Sequence, residues 1–127
     1  MEKIVLVVDD EEAIKLILTE ALVDHGYNVR TAATPEEALR IIAEEKILIH
    51  FVDMMLPGMN GLELCGHIKK QHPIAFTFAM TGHSSVFDLI RCREAGCEDY
   101  FAKPFQLAQI IEAAEFAYSR LKRWRKS

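Results

Sequence analysis

"IVLVVDD", residues 4–10, runs five aliphatic residues straight into two aspartates. A run without polar alternation reads as a strand buried on both faces, the mark of a parallel sheet covered by helices. It then stops on two adjacent like charges. An acid pair at a strand tip is either a solvated loop or a cation site, and the rest of the chain has to decide between them.

Working outward from this strand, helical and extended patterns alternate. Ala13, Ile14, Ile17, Leu18, Ala21 and Leu22 recur at helical spacing, and Gly26 follows as a stop. Tyr27–Ala32 reads as a second strand. "TPEEALRIIAEE" opens a helix with Thr34 as N-cap, Pro35 at the first helical position and two acids in the first turn. Residues 47–52 read as a third strand, "LPGMNG" as a loop and residues 62–71 as a helix. Residues 76–80 read as a fourth strand. Ser84 or Ser85 caps a helix that Gly96 ends, and residues 100–102 read as a short fifth strand. Leu107, Ile110, Ile111, Ala114, Ala117 and Leu121 stripe a last helix. Five such units predict an α/β fold: a doubly wound, five-stranded parallel sheet with helices on both faces.

Ligands of such sheets sit beyond the carboxyl ends of the strands. Asp9 and Asp10 follow the first apolar run, Asp53 the third, Thr81 and Gly82 the fourth, and Lys103 and Pro104 the fifth. Each signal alone is weak, since a lone Asp after a strand is often a turn residue. Their convergence on one rim is what points to a site. Three carboxylates there repel, each pair by roughly 3 kcal/mol at ~5 Å and an effective dielectric of ~20. Lys103 offsets one charge, and the remainder suits a divalent cation. An all-oxygen ligand set favours Mg²⁺. A metal beside a spare carboxylate suits phosphoryl transfer through an aspartyl-phosphate, with a lysine and a hydroxyl holding charge on the phosphoryl oxygens.

The pieces "VVDD", "VDMMLPGMNG", "FAMTGH" and "DYFAKPF" together resemble the receiver domain of bacterial two-component response regulators, over essentially the whole chain. The resemblance implies the flavodoxin-like strand order 2-1-3-4-5. It implies phosphorylation at Asp53, direct Mg²⁺ ligation by Asp10 with help from Asp9 through water, and a further ligand in the Met55 carbonyl. Thr81 becomes the switch hydroxyl, Lys103 the phosphate-pairing lysine and Tyr100 the aromatic switch. The peptide bond before Pro104 is expected to be cis. The implied partners are a sensor histidine kinase or a histidine phosphotransfer protein. A homodimer could form through the face of the fourth helix, fifth strand and fifth helix. The implied chemistry is confined to the domain's own phosphorylation and dephosphorylation, so it is not an enzyme in the ordinary sense.

Three details are specific to this chain. His50 stands where the family usually has an aliphatic residue, and reads as a hydrogen-bonded packing residue rather than a ligand. Met55 and His83 border the expected phosphate, and a thioether orients an attacking water poorly. Met54, Met59 and Met80 read as packing.

Other classes fit less well. A haloacid-dehalogenase-type phosphatase needs a second Asp two residues after the nucleophile, where this chain has Met55. A dinucleotide-binding enzyme needs a glycine-rich turn after the first strand, where this chain has "VVDDEEA". A docking module that ignores phosphate is the remaining alternative, separated by Mg²⁺-dependent phosphate incorporation.

The 127 residues suit one domain, expected over 1–122, with 123–127 as a basic tail or linker start. Net charge is −4, although Arg120, Lys122, Arg123, Arg125 and Lys126 hold five of the fifteen basic residues. The body is therefore acidic and should not bind nucleic acid unaided. No apolar run approaches the ~20 residues of a membrane span, and the N-terminus lacks the pattern of a signal peptide. Cys65, Cys92 and Cys97 lack disulfide or zinc spacing, so free thiols in a reducing cytoplasm are expected.

Overall fold

The structure, a computed structural model, describes residues 1–56, 58–82 and 86–125, without the side chains of residues 86–88. Five strands, β1 (Ile4–Val8), β2 (Asn28–Ala32), β3 (Ile49–Asp53), β4 (Phe76–Thr81) and β5 (Asp99–Ala102), alternate with five helices. These are α1 (Glu12–Asp24), α2 (Pro35–Glu44), α3 (Gly61–Gln71), α4 (Val86–Glu94) and α5 (Leu107–Arg125). All strand pairs are parallel, in the order β2-β1-β3-β4-β5. The expected fold class and strand order are both present.

The aliphatic run of β1 is buried on both faces because it feeds two cores. Ile4, Leu6 and Val8 join Ala38, Ile42, Leu64 and Ile68 of α2 and α3. Val5 and Val7 join Leu18 and Leu22 of α1 and Ile110, Ala114 and Leu121 of α5. The doubly covered sheet leaves its carboxyl-end rim as the place where polar groups emerge.

Local signals set the element ends. The Thr34 hydroxyl accepts from the Glu37 N–H at 3.1 Å, and Pro35 opens α2. Gly26 and Gly96 take positive φ after α1 and α4, as stop residues do. Some expectations shift. Ala13 and Ile17 of the α1 stripe are exposed, while Lys15 is buried with its ammonium 2.6 Å from Glu12. Tyr27 and Ile47 are buried but precede their strands, because apolar patterning reports burial and not the hydrogen-bond ladder. Helix α5 continues to Arg125, so the basic residues Lys122, Arg123 and Arg125 form its last turn. Ser84, Ser85 and His83 lie outside the described residues.

The start of α3 is pinned to the end of β3. Asn60 caps it, its side chain accepting from the Glu63 N–H at 2.9 Å. The Gly61 N–H donates to the Met54 carbonyl at 3.2 Å. A Cβ at Gly61 would collide with the Asp53 backbone carbonyl and lie 2.6 Å from the Met54 Cα. Gly61→Ala should therefore lower stability by about 1–3 kcal/mol, as overpacking does, although alanine is the better helix former. Urea denaturation decides the sign, and a raised midpoint would show that α3 is free to back away from Asp53.

Candidate functional site

The parallel register carries four chain segments to one rim. Val8 pairs with Val52, Asp53 with Met80, and Thr81 with Ala102, so Asp9, Asp53, Thr81 and Lys103 emerge side by side. The Lys103 N–H donates to the Thr81 carbonyl at 2.7 Å, which fixes the lysine at the rim. The Lys103–Pro104 peptide bond is cis.

Asp9 is fully buried, and both of its carboxylate oxygens are engaged. One accepts from the Glu11 N–H at 2.9 Å and the other from Lys103 Nζ at 2.8 Å. Asp53, also buried, accepts from the Met55 N–H at 3.0 Å and faces Lys103 Nζ at 3.5 Å. Asp10 is exposed, and one carboxylate oxygen from each of Asp9, Asp10 and Asp53 lies within 4.8 Å of the others. Sequence reasoning alone misses Glu11, whose carboxylate is 3.2 Å from Lys103 Nζ. A third acid directly after the pair is the available signal.

Burial and neighbouring charge together shift Asp53 and Lys103. Burial pushes the Asp53 carboxyl above its usual value, and neighbouring Asp9 adds to this, against the pull of the Met55 N–H and Lys103. Burial disfavours the Lys103 ammonium, but Asp9, Asp53 and Glu11 outweigh it and hold the lysine above its usual range. The cluster is short of positive charge, and its donors are all oxygens. Octahedral Mg²⁺ places its ligand oxygens about 3–4 Å apart, so a modest inward adjustment of these carboxylates fits that ion.

Thr81 is buried at the same rim, and Gly82 stands in open space. A crevice of about 240 Å³ next to them is lined by Met54, Asn60, Thr81, Arg91 and Tyr100, among others. The Met55 side chain projects into solvent. The Tyr100 ring packs partly against the α2–α3 core, and its hydroxyl is buried with no hydrogen-bond partner among the described residues. The ring is thus already turned inward here. His50 is fully buried on β3. Its Nε2 lies 2.6 Å from the Ile47 carbonyl and its Nδ1 3.3 Å from the Thr77 hydroxyl. A carbonyl only accepts, so Nε2 carries the proton and Nδ1 accepts from Thr77. His50 is the packing residue expected from its position.

The family model described as response regulator receiver domain matches residues 5–115. The chain belongs to this family. The receiver domain is 37% identical over 110 residues to the alkaline phosphatase synthesis transcriptional regulatory protein PhoP of Bacillus subtilis, covering 87% of this chain and 46% of that protein. It is 34% identical over 116 residues to the DNA-binding transcriptional regulator NtrC of Escherichia coli, covering 91% of this chain and 25% of that protein. The receiver domain thus spans less than half the length of these relatives. Among solved structures, a CheY-like receiver domain protein of Methanospirillum hungatei superposes with a TM-score of 0.89 at 31% identity, over 97% of this chain and 99% of that one. The NtrX receiver domain of Brucella abortus gives 0.83 at 35% identity, over 89% and 96%. Among the described residues no helix is long and apolar enough to cross a membrane.

Proposed function

We propose that this receiver domain accepts a phosphoryl group on Asp53, in the presence of Mg²⁺, from a sensor histidine kinase or a histidine phosphotransfer protein. The observation that carries this reading is the cluster of three carboxylates at one strand rim with a single ammonium 2.8 Å from Asp9 and 3.5 Å from Asp53. An Asp53 carboxylate oxygen attacks the phosphorus, and the bond from phosphorus to the donor nitrogen breaks. Asp10, Asp53, Asp9 and the Met55 carbonyl would hold Mg²⁺, which would supply positive charge to the phosphoryl oxygens. Lys103 pairs with a phosphoryl oxygen, and the Thr81 hydroxyl donates to another.

The test uses a small acyl phosphate, which removes the need for the cognate kinase. The expected result is a gain of about 80 Da by intact mass, lost in mild base and dependent on Mg²⁺. Labelling that ignores Mg²⁺ would overturn the metal assignment, and no labelling at all would leave the docking-module alternative in its place.

Phosphorylation then biases the face of α4, β5 and α5 toward a partner, an output domain or a second copy. The beryllofluoride-activated NtrC4 receiver domain, 31% identical to this chain, is a dimer in solution. Tyr100 supports such a switch energetically. Its inward hydroxyl has no partner among the described residues, and an unmet buried donor costs about 1–3 kcal/mol. A Thr81–phosphoryl hydrogen bond of about 1.5–3 kcal/mol is enough to shift the ratio of inward to outward rotamers tenfold. Thr81→Ala should still take up phosphate but lose most of the Tyr100 response. Fluorine NMR on labelled tyrosine reads this, with Tyr27 and Tyr118 as controls. A Tyr100 signal indifferent to phosphorylation in the unsubstituted chain would rule out this route.

A further inference from the structure

Away from the rim, Cys65, Cys92 and Cys97 meet in the core beneath α3 and α4, and all three are buried. They come from α3, from α4 and from the turn before β5. The Sγ atoms of Cys65 and Cys97 lie 3.5 Å apart, in direct contact, although 32 residues separate them. We infer that Cys65 and Cys97 are a second modification site, a thiol pair that a hydroperoxide converts to an intramolecular disulfide. This rests on their geometry and is independent of the phosphoacceptor reading.

The contact distance leaves about 1.5 Å to close to a disulfide bond length of about 2.05 Å. Both thiols are buried, but they differ in their place in the chain. Cys65 is 0% exposed in the middle of α3, whereas Cys97, at 3%, directly follows the partly exposed Gly96 turn. The Lys69 side chain packs over that turn, with its ammonium 2.6 Å from Glu98. Contact with the Cys65 sulfur, with help from the Lys69 charge, draws the Cys97 thiol down against burial and the Glu98 carboxylate. The same contact, together with burial, pushes the Cys65 thiol up. Cys97, beside the Gly96 turn, is the thiol placed to meet the oxidant, and the thiolate is the form that reacts.

The chemistry balances with the peroxide as sole oxidant. The Cys97 thiolate attacks one peroxide oxygen, the O–O bond breaks, and sulfenic acid and hydroxide form. Cys65 sulfur then attacks the Cys97 sulfur, the S–S bond forms as the S–O bond breaks, and the departing hydroxide leaves as water with the Cys65 proton. Two thiols and one hydrogen peroxide give one disulfide and two waters. The bond would tie α3 to the chain three residues before Tyr100.

The test is oxidation of the full chain with hydrogen peroxide, followed by alkylation under denaturing conditions and mass analysis. The expected result is a loss of about 2 Da and a fall from three alkylated cysteines to one, with a tryptic cross-link between the Cys65 and Cys97 peptides. Cys92→Ser should leave the cross-link intact, while Cys65→Ser and Cys97→Ser should each abolish it. Dithiothreitol should restore all three thiols. A cross-link through Cys92, a purely intermolecular disulfide, oxygen addition without a cross-link, or three thiols still alkylated after oxidation would each overturn the assignment.

Discussion

Asp53→Asn is expected to take up no phosphoryl group, and Lys103→Met to take it up about 10²–10³-fold more slowly, the usual cost of losing one charge-stabilising donor. The two substitutions fail for different reasons. The first removes the proposed nucleophile. The second leaves it in place but removes the ammonium that lies 2.8 Å from Asp9 and 3.5 Å from Asp53. Stability and metal binding separate the roles further. Without Lys103 the buried Asp9 and Asp53 lose their counter-charge, and breaking such a pair costs about 3–5 kcal/mol. The metal-free Lys103→Met protein should therefore melt earlier, and Mg²⁺ should both bind it more tightly and recover much of the loss.

Asp10→Ala is expected to behave in the opposite sense. It removes an exposed acid from a crowded cluster, so metal-free stability should rise, by at most about 1 kcal/mol because solvent screens the group. Its Mg²⁺-dependent shift should largely disappear. Melts with and without Mg²⁺, run beside acyl-phosphate labelling at saturating metal, check all three variants. Lys103→Met labelling at the unsubstituted rate would take the ammonium out of the transfer step.

The second large effect lies in the core. Burial pushes the His50 imidazole down to about 4, with the Ile47 carbonyl only partly opposing it. In the unfolded chain the ring titrates near 6.5, so the unfolded state takes up its proton first as pH falls. The stability that the neutral ring contributes is complete above pH ~6.5 and is lost as pH drops toward 4, in total about 3 kcal/mol. His50→Gln keeps hydrogen-bonding groups in the site but does not titrate. It should therefore lose this increment of acid sensitivity, whatever its own stability at pH 7.5. Urea unfolding of both proteins between pH 7.5 and 4.5 measures the difference. Parallel curves would mean that the folded protein accommodates the charged ring.

Much of the site is legible in the sequence because strand ends are local events. Each apolar run stops where its chemistry begins, so the polar residues at the ends of these runs, Asp9, Asp10, Asp53, Thr81 and Lys103, identify themselves. Thr34, Pro35, Gly26 and Gly96 are equally readable, since caps and positive-φ stops are decided within a few residues. Contacts between distant segments are not. A third acid after the pair hints at Glu11, but residues 9–11 do not say that it joins Asp9 and Asp53 around one lysine 92 residues away. Gly61 looks like an ordinary helix start until α3 is laid against the Asp53 carbonyl. The helical spacing of α1 marks Ile17 as core together with Leu18 and Leu22, yet only the packing against β1 and α5 buries the two leucines and leaves Ile17 exposed. The sequence by itself determined the order of strands and helices and which residues crown the rim, because hydrophobic periodicity and caps act at short range. The tertiary structure alone decided which carboxylate faces the lysine, that the Tyr100 hydroxyl is buried without a partner among the described residues, and that two cysteines touch, because distances between segments are set only when the sheet closes its register.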